Sequence, residues 1–145
     1  MKLEEFEKET ELSRLVLGRV KSGEKFRPQA AYDADGDCIE FLLSNESFYA
    51  ERIDALVTVY YSQRRREIVG SLIKGVSKVI RKFLRHAPGF RIEIRDGRMR
   101  LEHLFSAYMW SSPPANREVR LTYEKLRDVA EDKDIEVPVG HFAKA

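Results

Sequence analysis

At Gly75 the hydrophobic pattern of this 145-residue chain changes period. Before it, Leu56-Val57-Thr58-Val59-Tyr60-Tyr61 and Glu67-Ile68-Val69-Gly70-Ser71-Leu72-Ile73 are short runs rich in β-branched and aromatic residues. Joined by residues 62–66, they fit two antiparallel strands. After it, Val76, Val79, Ile80, Phe83, Leu84 and Ala87 recur at the spacing of one helix face, with Lys78, Arg81, Lys82, Arg85 and His86 on the other side. Pro88-Gly89 ends that helix. Each such element has an apolar face to bury, which predicts an α+β domain of packed layers.

The flanking segments extend this reading. Leu3, Phe6, Thr10, Ser13, Leu17 and Val20 form a helical stripe over residues 2–21, which Gly23 and Pro28 end. Ala30-Ala31-Tyr32 and Cys38-Ile39-Glu40-Phe41-Leu42-Leu43 flank a turn-rich Asp33-Ala34-Asp35-Gly36-Asp37 run and predict a hairpin. Asp96-Gly97 between alternating runs predicts a second hairpin with a two-residue turn. Its register sets Ile94 against Met99, Ile92 against Leu101 and Phe90 against His103 on one face. Glu93 then faces Arg100, and Arg91 faces Glu102, on the other. Leu101, Leu104, Phe105 and Tyr108 have helical spacing, so residues 104–110 fit either helix or strand. Ser111-Ser112-Pro113-Pro114 breaks the chain, Thr122 is placed to cap a short helix, and residues 135–138 read as extended.

The expected architecture is therefore one domain over residues 1–145. An N-terminal helix (1–22) precedes an antiparallel β-meander and central basic amphipathic helix (30–87). An Asp-Gly β-hairpin and short C-terminal helix (90–145) follow.

A composition of 43% hydrophobic and 34% charged residues fits a folded core rather than a disordered chain. No run approaches the ~20 apolar residues that span a bilayer. The acidic start predicts no secretory signal. A lone cysteine, Cys38, forms no internal disulfide, which fits a reducing compartment; a cytoplasmic location is expected.

Residues 32–41, 57–61 and 67–73, with the sequences Tyr32-Asp33-Ala34-Asp35-Gly36-Asp37-Cys38-Ile39-Glu40-Phe41, Val57-Thr58-Val59-Tyr60-Tyr61 and Glu67-Ile68-Val69-Gly70-Ser71-Leu72-Ile73, form a pattern seen elsewhere. Over about residues 30–77 the chain resembles the small bacterial module called domain of unknown function 2283. It departs at the second turn, where Asp- and Gly-type residues are usual and Gln63-Arg64-Arg65-Arg66 stands here. The resemblance implies a β-meander followed by a helix, and no activity.

Chemistry-bearing motifs are sparse. Asp33, Asp35, Asp37 and Glu40 do not match a calcium loop, because Gly36 falls at position 4 and Ser44 at position 12; a polar turn is expected. His86, His103 and His141 share no metal-ligand spacing. Ser106 and Ser111 lack a nucleophile-elbow context, and Cys38 reads as a small core residue. Neither phosphate-binding glycine motif occurs, and isolated Gly70 marks a bulge or close packing. No catalytic residue, metal or cofactor is expected.

Charge is the feature that points to a partner. Residues 1–63 have 8 basic and 13 acidic side chains, a net −5; residues 64–100 have 12 and 3, a net +9. Arg64, Arg65 and Arg66 are expected on a loop tip. Lys74, Lys78, Arg81, Lys82 and Arg85 follow on or beside one helix face, a surface suited to a phosphate backbone. The alternatives are a solvated face, or one covered by the acidic N-terminal helix with Glu4, Glu5, Glu7, Glu9 and Glu11. Tyr61, Tyr108 and Trp110 are candidates for base stacking, and Met109-Trp110 for a partner-binding edge.

Three functional classes remain, in order. The first is a non-enzymatic protein-interaction or regulatory module, with a protein partner or a homodimer. The second is a nucleic-acid-binding protein using residues 64–86. The third is an enzyme whose site the spacing does not reveal. A membrane partner is not expected, because the helix's apolar face is needed for the core.

Overall fold

The computed structural model describes residues 26–85, 91–111, 114 and 116–139, Arg85 through its backbone alone. The expected N-terminal helix, His86, His141 and the tail lie outside the described residues. The chain forms two compact units. One runs to Asp33 and resumes over Cys38–Lys74; the other takes Ala34–Asp37 and the chain from Gly75 onward.

The first unit is a five-stranded antiparallel sheet of β1 (Gln29–Asp33), β2 (Cys38–Leu42), β3 (Phe48–Arg52), β4 (Val57–Ser62) and β5 (Ile68–Lys74). Its order is β1-β2-β5-β4-β3. The last three strands form a meander, and the β1–β2 hairpin joins through β2, which pairs along β5 from Leu42 opposite Gly70 to Cys38 opposite Lys74. β3 was not foreseen. An edge strand needs little apolar alternation, and Phe48, Tyr49, Ala50, Glu51 and Arg52 are all exposed or half-buried.

Gly70 earns its place by close approach. A Cβ there would overlap the Phe41 carbonyl oxygen and stand 3.0 Å from Tyr60 Cδ2 and 3.2 Å from Leu42 Cδ2. The β4–β5 register also slips beside it: Tyr60 faces Gly70 but Tyr61 faces Ile68, leaving Val69 as the extra residue of a bulge. Val69 thereby joins Leu42, Tyr60 and Leu72 in one buried cluster, with Phe26, Cys38, Phe48 and Ala50 packed against it. Both readings of Gly70, bulge and close packing, hold together.

The second unit contains α1 (Val76–Arg85), β6 (Ile94–Arg95), β7 (Arg98–Arg100), α2 (Leu101–Ser111), α3 (Arg117–Asp132) and β8 (Glu136–Pro138). α1 buries Val76, Val79, Ile80 and Phe83, as its periodicity requires. Its first turn is capped across 40 residues: Asp37 accepts from the Ser77 N–H at 3.0 Å and the Ser77 hydroxyl at 2.8 Å. α2 is apolar on most sides, burying Leu101, Leu104, Phe105, Ala107 and Tyr108, and packs on both α1 and α3. No helix among the described residues is long and apolar enough to cross a membrane.

The Asp-Gly hairpin is shorter than expected. Asp96 (φ 53°) and Gly97 (φ 73°) both take the left-handed conformation that a two-residue hairpin turn requires; Ile94 pairs with Met99 as predicted, and Arg95 faces Arg98 beside the turn. The ladder does not continue to Leu101 and His103, because the helical spacing from Leu101 wins and both residues lie in α2. β7 instead pairs on its other side with β8, Met99 opposite Val137. Thr122 is not a cap. Asn116 is, accepting from the Val119 N–H at 2.9 Å, while the Thr122 hydroxyl donates to the Glu118 carbonyl inside a 16-residue helix.

Gly70→Ala is expected to destabilise the full chain by about 3 kcal/mol through overpacking against β2 and Tyr60. Urea denaturation of both proteins measures this; equal midpoints would show that β2 and β5 do not approach so closely.

Candidate interaction surfaces

The basic turn between β4 and β5 is built around Ser62, which is fully buried. Its hydroxyl accepts from the Arg64 and Arg65 N–H groups at 3.2 and 3.1 Å and donates to Glu46 at 3.0 Å. Arg66, at φ 57°, closes the turn through its N–H on the Ser62 carbonyl at 2.8 Å. Arg65 folds back on this frame. Its guanidinium binds Glu46 through two nitrogens, one at 3.1 Å, and Glu67 through a third. The hydrogen bond from Arg65 holds the Glu46 carboxyl down at about 2, against the opposing effect of burial, with Ser44 and Ser62 adding further hydrogen bonds.

The triplet is thus not uniform. All three arginines are exposed, but Arg65 is ion-paired to Glu46 and Glu67, whereas Arg64 and Arg66 form no ion pair among the described residues. Lys74 is half-buried at the end of β5. In the second unit Lys78, Arg81 and Lys82 are exposed on α1, with Lys82 Nζ 3.5 Å from the Ser111 hydroxyl and 5.6 Å from the Phe83 ring centre. Arg85 is the last residue of α1. The eight expected cationic residues therefore divide four and four between the units.

The hairpin charges pair differently from the expected cross-strand partners. Arg95 binds Glu93 on its own strand side at 3.0 Å. Arg100 binds Glu102 and, at 2.7 Å, Asp134. Arg100 reaches these because β7 runs directly into α2 and lies against β8.

Aromatic residues supply a second signal. Across β3–β4, Phe48 stacks on Tyr60 with centroids 4.4 Å apart, and Tyr49 stacks on Tyr61 at 5.6 Å and 28°. Tyr49 is 41% exposed. Burial raises the Tyr61 hydroxyl above the usual tyrosine value, and the charges of Glu51 and Tyr49 raise it further. Tyr108 is buried in α2 and has no face to offer a base. Glu40, grouped in the sequence with the aspartates of the polar turn, is instead buried in β2 and accepts from the Tyr60 hydroxyl inside the sheet. Among the described residues no group of three or more His, Cys, Asp or Glu side chains is arranged to hold a metal ion.

Trp110 lies in the last turn of α2 and is 60% exposed. It lines a groove of about 420 Å³ between α2 and α3. Ser106, Met109 and Trp110 form the α2 wall, Pro114 lies beyond the helix end, and Arg120, Glu124 and Arg127 form the α3 wall. The α3 residues follow an i, i+4, i+7 stripe. Arg120 binds Glu124 at 3.3 Å and Arg127 binds Asp128 at 3.3 Å. Such a wall can orient a polar or charged group while the tryptophan supplies apolar area.

Glu46 gives the clasp a pH signature. A carboxyl lowered from 4.5 to about 2 contributes stability above pH 4.5, lost as pH falls through about 2. The stability advantage of wild type over Glu46→Gln should be present at pH 6, shrink below pH 4.5 and be lost near pH 2. Urea titrations at several pH values measure it, and a pH-independent difference would contradict the ionic clasp.

Comparison with protein-family models, with curated proteins and with solved structures finds no match for this chain.

Proposed function

We propose that the chain is a non-enzymatic protein-interaction or regulatory module whose helical unit receives a short peptide segment of a partner protein in the Trp110 groove. One observation carries the reading: the chain's sole tryptophan stands 60% exposed on the wall of a defined groove. Partly desolvated tryptophans with arginine neighbours are the side chains on which interface energy concentrates. Met109 and Pro114 extend the apolar surface, and Arg120 and Arg127 flank Glu124 on the opposite wall. That pattern favours an apolar anchor with acidic neighbours.

The second reading, a nucleic-acid-binding protein using Arg64, Arg65, Arg66, Lys74, Lys78, Arg81, Lys82 and Arg85, is favoured by the exposure of Lys78, Arg81 and Lys82 on α1. A cytoplasmic location belongs to the proposal and rests on the lone cysteine. Kinship of residues 30–77 with domain of unknown function 2283 is likewise proposed, supported by the succession of hairpin, strands and helix.

Selection of displayed peptides against the full chain tests the main reading. The expected binders combine an aromatic or aliphatic anchor with Asp or Glu. Trp110→Ala should weaken them at least tenfold without lowering the melting temperature, and Arg120→Glu with Arg127→Glu should shift selection toward basic peptides. Peptides that bind Trp110→Ala equally well would sink the groove as the site. A concentration-dependent dimer lost in Trp110→Ala would replace the peptide by a second copy.

A further inference from the structure

The first unit has a surface that does not involve the Trp110 groove. The β3–β4 register sets exposed Tyr49 opposite half-buried Tyr61 and Phe48 opposite Ser62, so the tyrosine pair ends where the basic turn begins. The Gln63 N–H donates to the Ser47 carbonyl at 3.1 Å, tying the turn to the start of β3. Arg65 is drawn into the Glu46–Glu67 clasp, which holds the turn in one shape and leaves Arg64 and Arg66 exposed. An exposed tyrosine and a turn bearing two exposed arginines thus lie at the same end of the β3–β4 pair.

We propose that this surface binds single-stranded nucleic acid, Tyr49 stacking against a base while Arg64 and Arg66 contact the neighbouring phosphates. The proposal rests on the nucleic-acid reading but narrows its site to the β4–β5 turn and β3, leaving the α1 cations Lys78, Arg81 and Lys82 outside it. An aromatic ring accepts any base, and guanidiniums pair with phosphate through forked hydrogen bonds. Duplex bases are already stacked and present no face to Tyr49. Glu51 shares the Tyr49 face of β3 and repels any anion there, carboxylate or phosphate, which leaves that face to an uncharged base and the phosphates to the arginine turn. Glu51 reaches the tyrosine pair electrostatically, since its charge adds to the upward shift of Tyr61.

Fluorescence anisotropy with a labelled 20-nucleotide oligothymidylate and the full chain tests this across a salt series. Two phosphate contacts predict a slope of about −1.4 in log affinity against log salt. Arg64→Glu with Arg66→Glu should weaken binding at least tenfold and flatten the slope. Tyr49→Ala should weaken it about tenfold with the slope kept. Lys78→Glu with Arg81→Glu and Lys82→Glu should leave it unchanged. Should Tyr49→Ala lower the melting temperature, the double arginine reversal on the exposed turn decides. Failure of the wild type to bind at low salt overturns the proposal, as does equal competition by duplex DNA or a polyglutamate peptide. Binding lost only in the α1 reversal also overturns this surface, while leaving nucleic acid on the helix.

Discussion

The sheet unit depends on how closely β2 can approach β5. β5 is hydrogen-bonded on both edges, to β2 and to β4, so the β1–β2 hairpin and the β3–β4–β5 meander are one sheet only through it. At Gly70 the absence of a side chain lets the Phe41 carbonyl come near on one side and the Tyr60 ring cover the strand from the other. The neighbouring bulge turns Val69 into the same cluster. Two ring stacks then extend from Tyr60 and Tyr61 to the edge strand, and the turn that follows β4 inherits a firm base. The exposed arginines are presented by a structure that begins with a missing Cβ.

Electrostatics refine this frame rather than create it. Glu46, Arg65 and Glu67 lie at the surface, where ion pairs add little to global stability, yet the two-nitrogen contact and the Ser62 hydrogen bonds restrict the turn to one geometry. A charge count of the triplet overstates what a partner meets: all three arginines are exposed, but the charge of Arg65 is already paired with Glu46 and Glu67. In the helical unit the logic is apolar. α2 is sandwiched between α1 and α3, and its last turn brings Trp110 to the surface beside the arginines of α3.

Periodicity made much of this legible. β2, β4, β5 and α1 followed from runs of two- and 3.6-residue spacing, and the Asp96-Gly97 turn from its dipeptide alone. The antiparallel sheets and helices bear out the α+β class. β3 escaped because edge strands need no apolar face. The start of α2 was misread because Arg98 to His103 alternates like a strand, while the deciding contacts, Tyr108 and Phe105 in the core and β8 against β7, come later in the chain. Asn116 rather than Thr122 caps α3, and its signal lay beside the Pro113-Pro114 break. The basic turn was visible as three consecutive arginines, but the fate of Arg65 was not, since Glu46 lies 19 residues away. Trp110 was marked as a candidate partner edge; the groove beside it required α3 in place.

The proposed peptide site requires Trp110 to be exposed in the free protein and covered in the complex. Because it is the only tryptophan, acrylamide quenching of its fluorescence reports on this side chain alone. The predicted result is strong quenching in the free chain, falling several-fold when a selected acidic, apolar-anchored peptide is saturating. Weak quenching in the free chain, or quenching unchanged by the bound peptide, would contradict it.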